Sequence, residues 1–519
     1  MKQKILLFTF FVLLSIGLQA QGEAAHWYFG RNSGMDFTSM YVVNNAIIDG
    51  ITGQTLTNVP AFDYGPINTG EGCFSVSDAN GNFYFASDGR YIYNKNKALM
   101  PHGSNLKGHS STTQSGLVIP RAQNPHNYYV VTAPAGETQG SRNDGIYYYE
   151  VDMTLDGSLG DVLGPYNGMT PIGTELNFDG VYATKFAYEN LAAVKHSNGI
   201  DYWLLNRTRD HFFVWKVTKD GIDPTPVKKF SIGYNPGDIY VGGGLKISSN
   251  GEYIVCVNPR YEGHPSTNGT IVVAKFDTTS GEITDIRNNF IPQPNTIYGV
   301  VFSPNNKYVY YSNWYAGPLM RLSLESLLNG TAETPKKISD YISNVQIGPD
   351  QRLYGITSHS NAPAQYQNLY IVLNPNDNDP SVAVIPNYFP AGTGSHLSLP
   401  TFSASFFYID EIKVDMALPA CVKTEMTFTT EIVTGTGADA IAKVEWDFGD
   451  GKKVWDTNMS ISTHVLKHTY SQPGTYTLTL TPYGTDDIEK TDRIKKLTIP
   501  ISRCILPVNH NISVMGYYD

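Results

Sequence analysis

Cysteine is scarce in this sequence: four residues in 519, Cys73, Cys256, Cys421 and Cys504, with no two at a Cys-x-x-Cys spacing. That excludes a zinc knuckle or a redox dithiol motif. Histidine is also thin and dispersed, with no His-Glu-x-x-His pair, and there is neither a Gly-x-Ser-x-Gly elbow nor a phosphate-binding loop. Charged residues make up only 16%, acidic ones outnumber basic ones, and the formal net charge is −10. A chain of that sign is poorly suited to nucleic acid or anionic lipid. Helical periodicity is almost missing, and the stretch Leu322 to Leu328 is the best candidate for a helix.

One long apolar run stands at the start. Lys2 and Lys4 precede an apolar stretch from Ile5 to Ile16, and Leu18-Gln19-Ala20 closes it with a small residue before Gln21. This order predicts a cleavable signal peptide over residues 1–20, too short for a membrane anchor. Its removal leaves 35 basic against 47 acidic residues. No later stretch is apolar for long enough to span a membrane, so the expected mature chain is exported with no membrane span.

The body of the chain repeats itself. Leu245–Asn258, Val300–Asn313 and Val345–Ser358 align without gaps, each as strand, tight polar turn and strand. Looser copies begin near Phe74, Leu117 and Ala193. A period of roughly 45–55 residues is that of four-stranded propeller blades, each of which buries its faces only against its neighbours. A seventh blade is expected from both ends of the region, combining His26 to Phe29 and Met35 to Val43 with residues near Leu397 to Tyr408, a closure that protects the edge strands. The predicted fold class is therefore all-β: a β-propeller over 21–412, with seven blades favoured and six or eight open. A smaller immunoglobulin-like β-sandwich follows over 415–500, with a tail over 501–519.

The sandwich is announced by Trp446-Asp447-Phe448-Gly449-Asp450-Gly451 and by the alternating strand from Pro473 to Leu480. Together these residues closely resemble the PKD domain, an immunoglobulin-like sandwich common in secreted proteins. Trp27-Tyr28-Phe29-Gly30, Ser77 to Asn82, Tyr91 to Asn94, Met100 to Gly103, Phe302 to Asn305 and Gly348 to Asp350 extend the likeness. They resemble a group of secreted Bacteroidetes PKD-domain proteins linked to gliding motility and type IX secretion. That resemblance implies a secreted or cell-surface location, associated with the outer membrane, with the periplasm open. Members of that group often continue into further PKD repeats and a sorting domain. This chain ends at Asp519, soon after Cys504, which leaves the means of attachment open.

Several patterns have a plain structural explanation. Asp78, Asn80 and Gly81, and the run Asn374 to Asp379, carry oxygen side chains but lack the offsets and terminal Glu of an EF-hand. Turn chemistry accounts for both, so no cofactor is expected, a weakly held Ca2+ staying open. Trp446 reads as a core residue, with Asp447 and Asp450 holding the turn. Cys421 and Cys504 bracket the sandwich and could pair as a disulfide in an oxidising compartment, while Cys73 and Cys256 read as small buried residues. The 35 tyrosines cluster at Tyr147 to Tyr149 and at Tyr310 and Tyr311, where alternation between two faces of blade strands is expected.

Loop aromatics are better placed to bind: Trp314, Tyr315, Tyr261 and His264 are the candidate ligand-binding residues, with no catalytic or metal residue assigned. The leading expectation is a surface-associated binding or adhesion protein for glycan or protein, the PKD module serving as spacer or second contact. The alternatives are a polysaccharide hydrolase or lyase built on the propeller, or a structural part of a surface or secretion assembly.

Overall fold

The structure is a computed structural model that describes residues 22–503, apart from 137–144, 179–186, 209, 234–241, 259–268, 292–296, 315–316, 332, 359–364, 409–411, 417–420, 433–440, 460–462, 485–486 and 491–493. The predicted signal peptide lies outside the described residues. The chain divides into two compact units, one ending at Tyr408 and one beginning at Ile409.

The first unit is a β-propeller. Its innermost strands include Phe74–Ser77, Gly116–Pro120, Ala192–Lys195, Leu245–Ile247, Ile297–Phe302 and Asn344–Ile347. Each opens an antiparallel sheet at one of the six positions where the repeat recurs: four strands in the sheets opened by Phe74–Ser77, Leu245–Ile247 and Ile297–Phe302, five in those opened by Gly116–Pro120 and Ala192–Lys195, and four at Asn344–Ile347 that form part of a seven-stranded sheet shared with the N-terminal hairpin. We number these sheets blades 2 to 7. Blade 1 consists of His26–Phe29, Ser33–Ile48 and Ile51–Phe62. Its long hairpin is broken by register shifts and touches blade 7 near its tip, where Ile47 and Ile48 pair with Val384 and Ala383.

Closure uses both ends of the unit, as expected, but the C-terminal segment is not a regular strand. Arg31 pairs with Gly394 through an isolated antiparallel bridge, and Thr401 pairs in parallel with Phe74 of blade 2. Between these bridges the Leu397 amide donates to Gly70 O (3.1 Å), and the Thr401 amide donates to Cys73 O (2.9 Å). Trp27, fully buried, fixes the join by packing on Tyr354 of blade 7 and on Phe402, with ring centroids 5.8 Å apart in each case.

Alternation along the strands builds the inter-blade cores. Tyr310 faces one apolar cluster and Tyr311, the next residue, faces another; Tyr148 and Tyr149 divide in the same way. Buried Cys73 and Cys256 are free thiols within these layers, and burial pushes both above the ordinary thiol value, against the opposing charge of Arg207 in the case of Cys256. Among the described residues the one regular helix between blade strands, Leu324–Asn329, is capped by Ser323 Oγ, which accepts from the Ser326 amide, and ends at left-handed Gly330.

The turns joining first to second strands are held by their own side chains. Asp78 Oδ1 accepts from the amides of Asn80 (2.9 Å) and Asn82 (2.8 Å). In the Asn374 to Asp379 stretch, Asn374 Oδ1 accepts from the Ser381 amide (2.7 Å), and Arg321 donates to the carbonyls of Asp377 and Asn378. These oxygens are engaged in turn geometry.

The second unit is a β-sandwich of a three-stranded sheet, Ile412–Met416, Met426–Ile432 and Thr463–His468, and a four-stranded one, Lys453–Asp456, Lys443–Asp447, Gly474–Tyr483 and Lys495–Ile501. Trp446, Phe448, Phe428, Tyr470 and Leu480 fill the space between them. Among the described residues no helix is long and apolar enough to cross a membrane.

Candidate functional site

The two faces of the propeller differ. Innermost strands all begin on one face, where several long connections, residues 133–146, 163–191, 232–244, 259–268 and 357–368, stand beside short ones at 88–90, 208–210 and 314–318. On the opposite face the first and second strands are joined by turns over 78–82, 121–126, 196–201, 248–252, 303–307 and 348–352. A face of variable loops on a rigid ring is the usual place for recognition.

Beneath these loops lies a layer of buried polar side chains, each just before an innermost strand or just after a second one. Glu189 is 3% exposed; its Oε2 accepts from the Thr113 amide (3.0 Å) and Thr113 Oγ1 (3.2 Å), and its Oε1 from the Gly136 amide (2.6 Å). Thr113 Oγ1 in turn accepts from the Gly243 amide at 3.1 Å. Gln114 is a strut across three blades: its Nε2 donates to Leu191 O (3.0 Å) and Leu245 O (3.3 Å), and its Oε1 accepts from the Leu245 amide (2.8 Å). Tyr298 is held well above the usual phenol range by burial and then by the charge of Glu71, and its hydroxyl lies 3.4 Å from Ser398 Oγ. Between blades 4 and 5, fully buried Arg207 donates to Cys256 Sγ (3.5 Å) and lies over the Tyr188 ring, while its Nε and Nη2 find no hydrogen-bond partner among the described residues.

The channel is occupied by the protein itself. From Leu397 to Phe407 the chain runs along it from the loop face to the turn face. Ser398 Oγ donates to Thr113 O (3.1 Å), Ser403 Oγ donates to Ala193 O (3.3 Å), Ser405 Oγ accepts from the Lys195 amide (2.6 Å), and Phe407 O accepts from Gln351 Nε2 (3.1 Å). These contacts reach blades 3, 4 and 7. Toward the turn face a cavity is bounded by blades 4 to 7, by Gln114 ahead of blade 3 and by the threading segment.

Of the four candidate ligand-binding residues, Trp314 lies on the loop face. It is half-buried, with its ring 5.5 Å from that of Tyr298. Tyr315, Tyr261 and His264 lie outside the described residues; they belong to connections between strands that end on the same face. The exposed aromatic Tyr341, at 49% exposure, also stands there, its carbonyl accepting from Thr357 Oγ1. Thr113, Gln114, Glu189, Tyr298 and Ser398 escape the sequence reading because no two blades contribute neighbouring residues. A signal was present for all but Ser398: Thr113, Gln114, Glu189 and Tyr298 stand just before or at the start of an innermost strand.

In the sandwich, Trp446 is fully buried, and Asp447 Oδ1 accepts from the Gly449 amide at 2.9 Å. Asp450 Oδ1 accepts from the Lys452 amide (3.1 Å), and its Oδ2 lies 2.9 Å from His468 Nε2, whose ring stacks on Phe448 at 4.0 Å. Gly449 is left-handed (φ +78°), and a Cβ there would stand 2.6 Å from Thr477 O. Gly451 (φ +89°) completes the turn in open space. Cys504 lies outside the described residues; Cys421 is bridged in parallel to Ser502, two residues before it. No group of three or more His, Cys, Asp or Glu side chains gathers at metal-binding distance among the described residues.

The PKD domain family matches residues 413–499, within this second unit. A comparison with curated proteins finds no match. Solved structures similar to this chain include hydrazine synthase of Kuenenia stuttgartiensis, 11% identical over 66% of this chain and 94% of that one, with a TM-score of 0.34. The calcium-binding protein regucalcin of Agrobacterium tumefaciens is 12% identical over 64% of this chain and 94% of that one, TM-score 0.30. A puromycin hydrolase is 11% identical over 80% and 60%, TM-score 0.33. At such values the likeness bears on neither ligand nor reaction, and the propeller assignment rests on the strand order itself. The chain is thus a β-propeller followed by an immunoglobulin-like PKD domain.

Proposed function

We propose that this protein is exported and acts as a surface-associated binding protein, meeting a glycan or protein partner with the loop face of its propeller. The PKD domain serves as spacer or second contact. The observation that carries the reading is the asymmetry of the ring. Its long connections leave one face over a fixed polar layer, and its channel is filled by residues 397–407. Buried Glu189 spends its carboxylate on two backbone amides and a hydroxyl, which suits a scaffold better than an acid or base needing freedom to exchange protons. Trp314 and Tyr341 supply amphipathic rings able to stack on sugar or anchor a protein surface. PKD domains are typically extracellular, and the resemblance to surface-associated Bacteroidetes proteins supports a setting at the outer surface.

The test is to screen the full mature chain, residues 21–519, against glycans, host matrix proteins and the envelope of the producing cell. Specific binding that Trp314→Ala or Tyr341→Ala weakens, and that Ile200→Ala on the turn face leaves alone, supports the reading. Absence of binding to every class, or stoichiometric copurification with an outer-membrane complex that these variants do not disturb, contradicts it. The latter result would favour a structural component.

A further inference from the structure

On the turn face, away from the loop surface, a second site is built into the end of the channel. The cavity there is lined by Lys246 and Ile247 of blade 5, Ser303 and Asn306 of blade 6, Gln346 of blade 7, and Phe402 and Phe407 of the threading segment among others. Three features set it apart from a packing defect. First, Lys246 is the one charged side chain in its lining, and no Asp or Glu contributes to it. The ammonium reaches across blade 6 to Gln346 Oε1 (2.8 Å), a neutral partner, so its charge is uncompensated. Second, Asn306 Oδ1 is buried and has no hydrogen-bond partner among the described residues. Third, beside the polar side chains of Gln114, Ser249, Ser303 and Gln346 the wall is apolar, with two phenylalanine rings brought in by the threading segment.

A half-buried cation without a counter-charge carries a desolvation cost that an anion joining it would offset. A buried amide oxygen left unpaired costs about 1–3 kcal/mol. Both deficits are met by one kind of molecule, carrying a carboxylate for Lys246 and a neighbouring hydroxyl proton for Asn306.

We propose that this cavity binds a small hydroxycarboxylate, its carboxylate on Lys246 Nζ, its hydroxyl donating to Asn306 Oδ1, and its carbon skeleton against Phe402 and Phe407. The proposal does not rest on the loop-face reading, since the two sites lie at opposite ends of the ring. Burial holds the Lys246 ammonium down to about 8, which gives the site a pH signature. Carboxylate binding is strongest while the lysine is protonated, below pH 8, and fades above it.

The experiment is calorimetric titration of the full mature chain with acetate, glycolate, lactate, glycerate and the neutral lactamide, at pH 6.5 and pH 9.5. Lactate or glycerate is expected to bind at least tenfold more tightly than acetate, lactamide not at all, and every carboxylate at least tenfold more weakly at pH 9.5. Lys246→Met keeps the length of the side chain and removes the charge; it is expected to abolish binding while the protein remains folded by circular dichroism. Asn306 has φ +59°, so Asn306→Gly keeps the left-handed turn and removes only the orphan acceptor. It should erase the preference for hydroxycarboxylates over acetate. The proposal is overturned if no carboxylate binds at 10 mM, if lactamide binds as well as lactate, or if Lys246→Met binds like the parent chain. The first result would mean that the cavity holds water alone, and either of the others that Lys246 does not select what binds there.

Discussion

Replacing Gln114 tests the claim that the ring is braced from within. Its amide joins Leu191 O, Leu245 O and the Leu245 amide, so Gln114→Ala removes three hydrogen bonds between blades. Each contributes about 1 kcal/mol net when water can take the place of the lost partner. Gln114 borders the turn-face cavity, so water can enter, and the expected loss is about 3 kcal/mol. With an unfolding entropy of about 2.1 cal/mol/K per residue, that lowers the propeller transition by roughly 4 °C. Gln114→Leu fills the space and keeps water out, leaving the same backbone groups dry and unpaired, each costing up to about 3 kcal/mol. The leucine variant should therefore be the less stable of the two, although it preserves more volume. Differential scanning calorimetry of the full chain reads this directly, because the sandwich transition provides an internal control. A leucine variant as stable as the alanine one, or no shift in either, would refute the bracing argument.

Other outcomes follow from the same geometry. Lys246 titrates lower in the fold, near 8, than in the unfolded chain, near 10.4. The unfolded state binds the extra proton between those values, so stability rises with pH across the window from about 8 to 10.4. The gain is at most about 3 kcal/mol, and less because water reaches the group from the cavity mouth; Lys246→Met should flatten it in denaturant titrations. In the sandwich, Gly449→Ala meets both a left-handed φ and Thr477 O at 2.6 Å, whereas Gly451→Ala meets only the φ. The first should cost more than about 2 kcal/mol and the second about 1 kcal/mol, and equal losses would contradict the steric account. We further propose that Cys421 and Cys504 are joined. Thiol titration of the denatured, unreduced protein should then find two thiols, Cys73 and Cys256, and four would exclude the bridge.

What the sequence disclosed and what it hid have separate physical origins. All six repeat copies fall on innermost strands because each blade reuses one local device, a strand ending in an Asn, Asp or Gly turn whose side chain bonds its own backbone. Likewise Trp446 and the turn after it mark a sandwich through neighbouring residues. The long hairpin of blade 1 was legible only as far as Val43, because repeated register shifts erase its alternation. The passage of residues 397–407 down the channel left no local trace, since Ser398 finds its partners in blades 3 and 6. The polar layer was hidden for the same reason: Thr113 meets Glu189 across 76 residues, and Gln114 meets Leu245 across 131. Trp314 was recognisable as a loop aromatic, but its packing on Tyr298 was not.

The central claim is that recognition takes place on the loop face. Its most direct measurement is the affinity of the full mature chain for its best target among glycans, matrix proteins and the producing cell's envelope, compared across three variants. Trp314→Ala and Tyr341→Ala are each predicted to weaken binding at least tenfold, about 1.4 kcal/mol, while Ile200→Ala on the turn face leaves it within twofold. Equal affinities for all four proteins, or a loss confined to Ile200→Ala, would contradict the account.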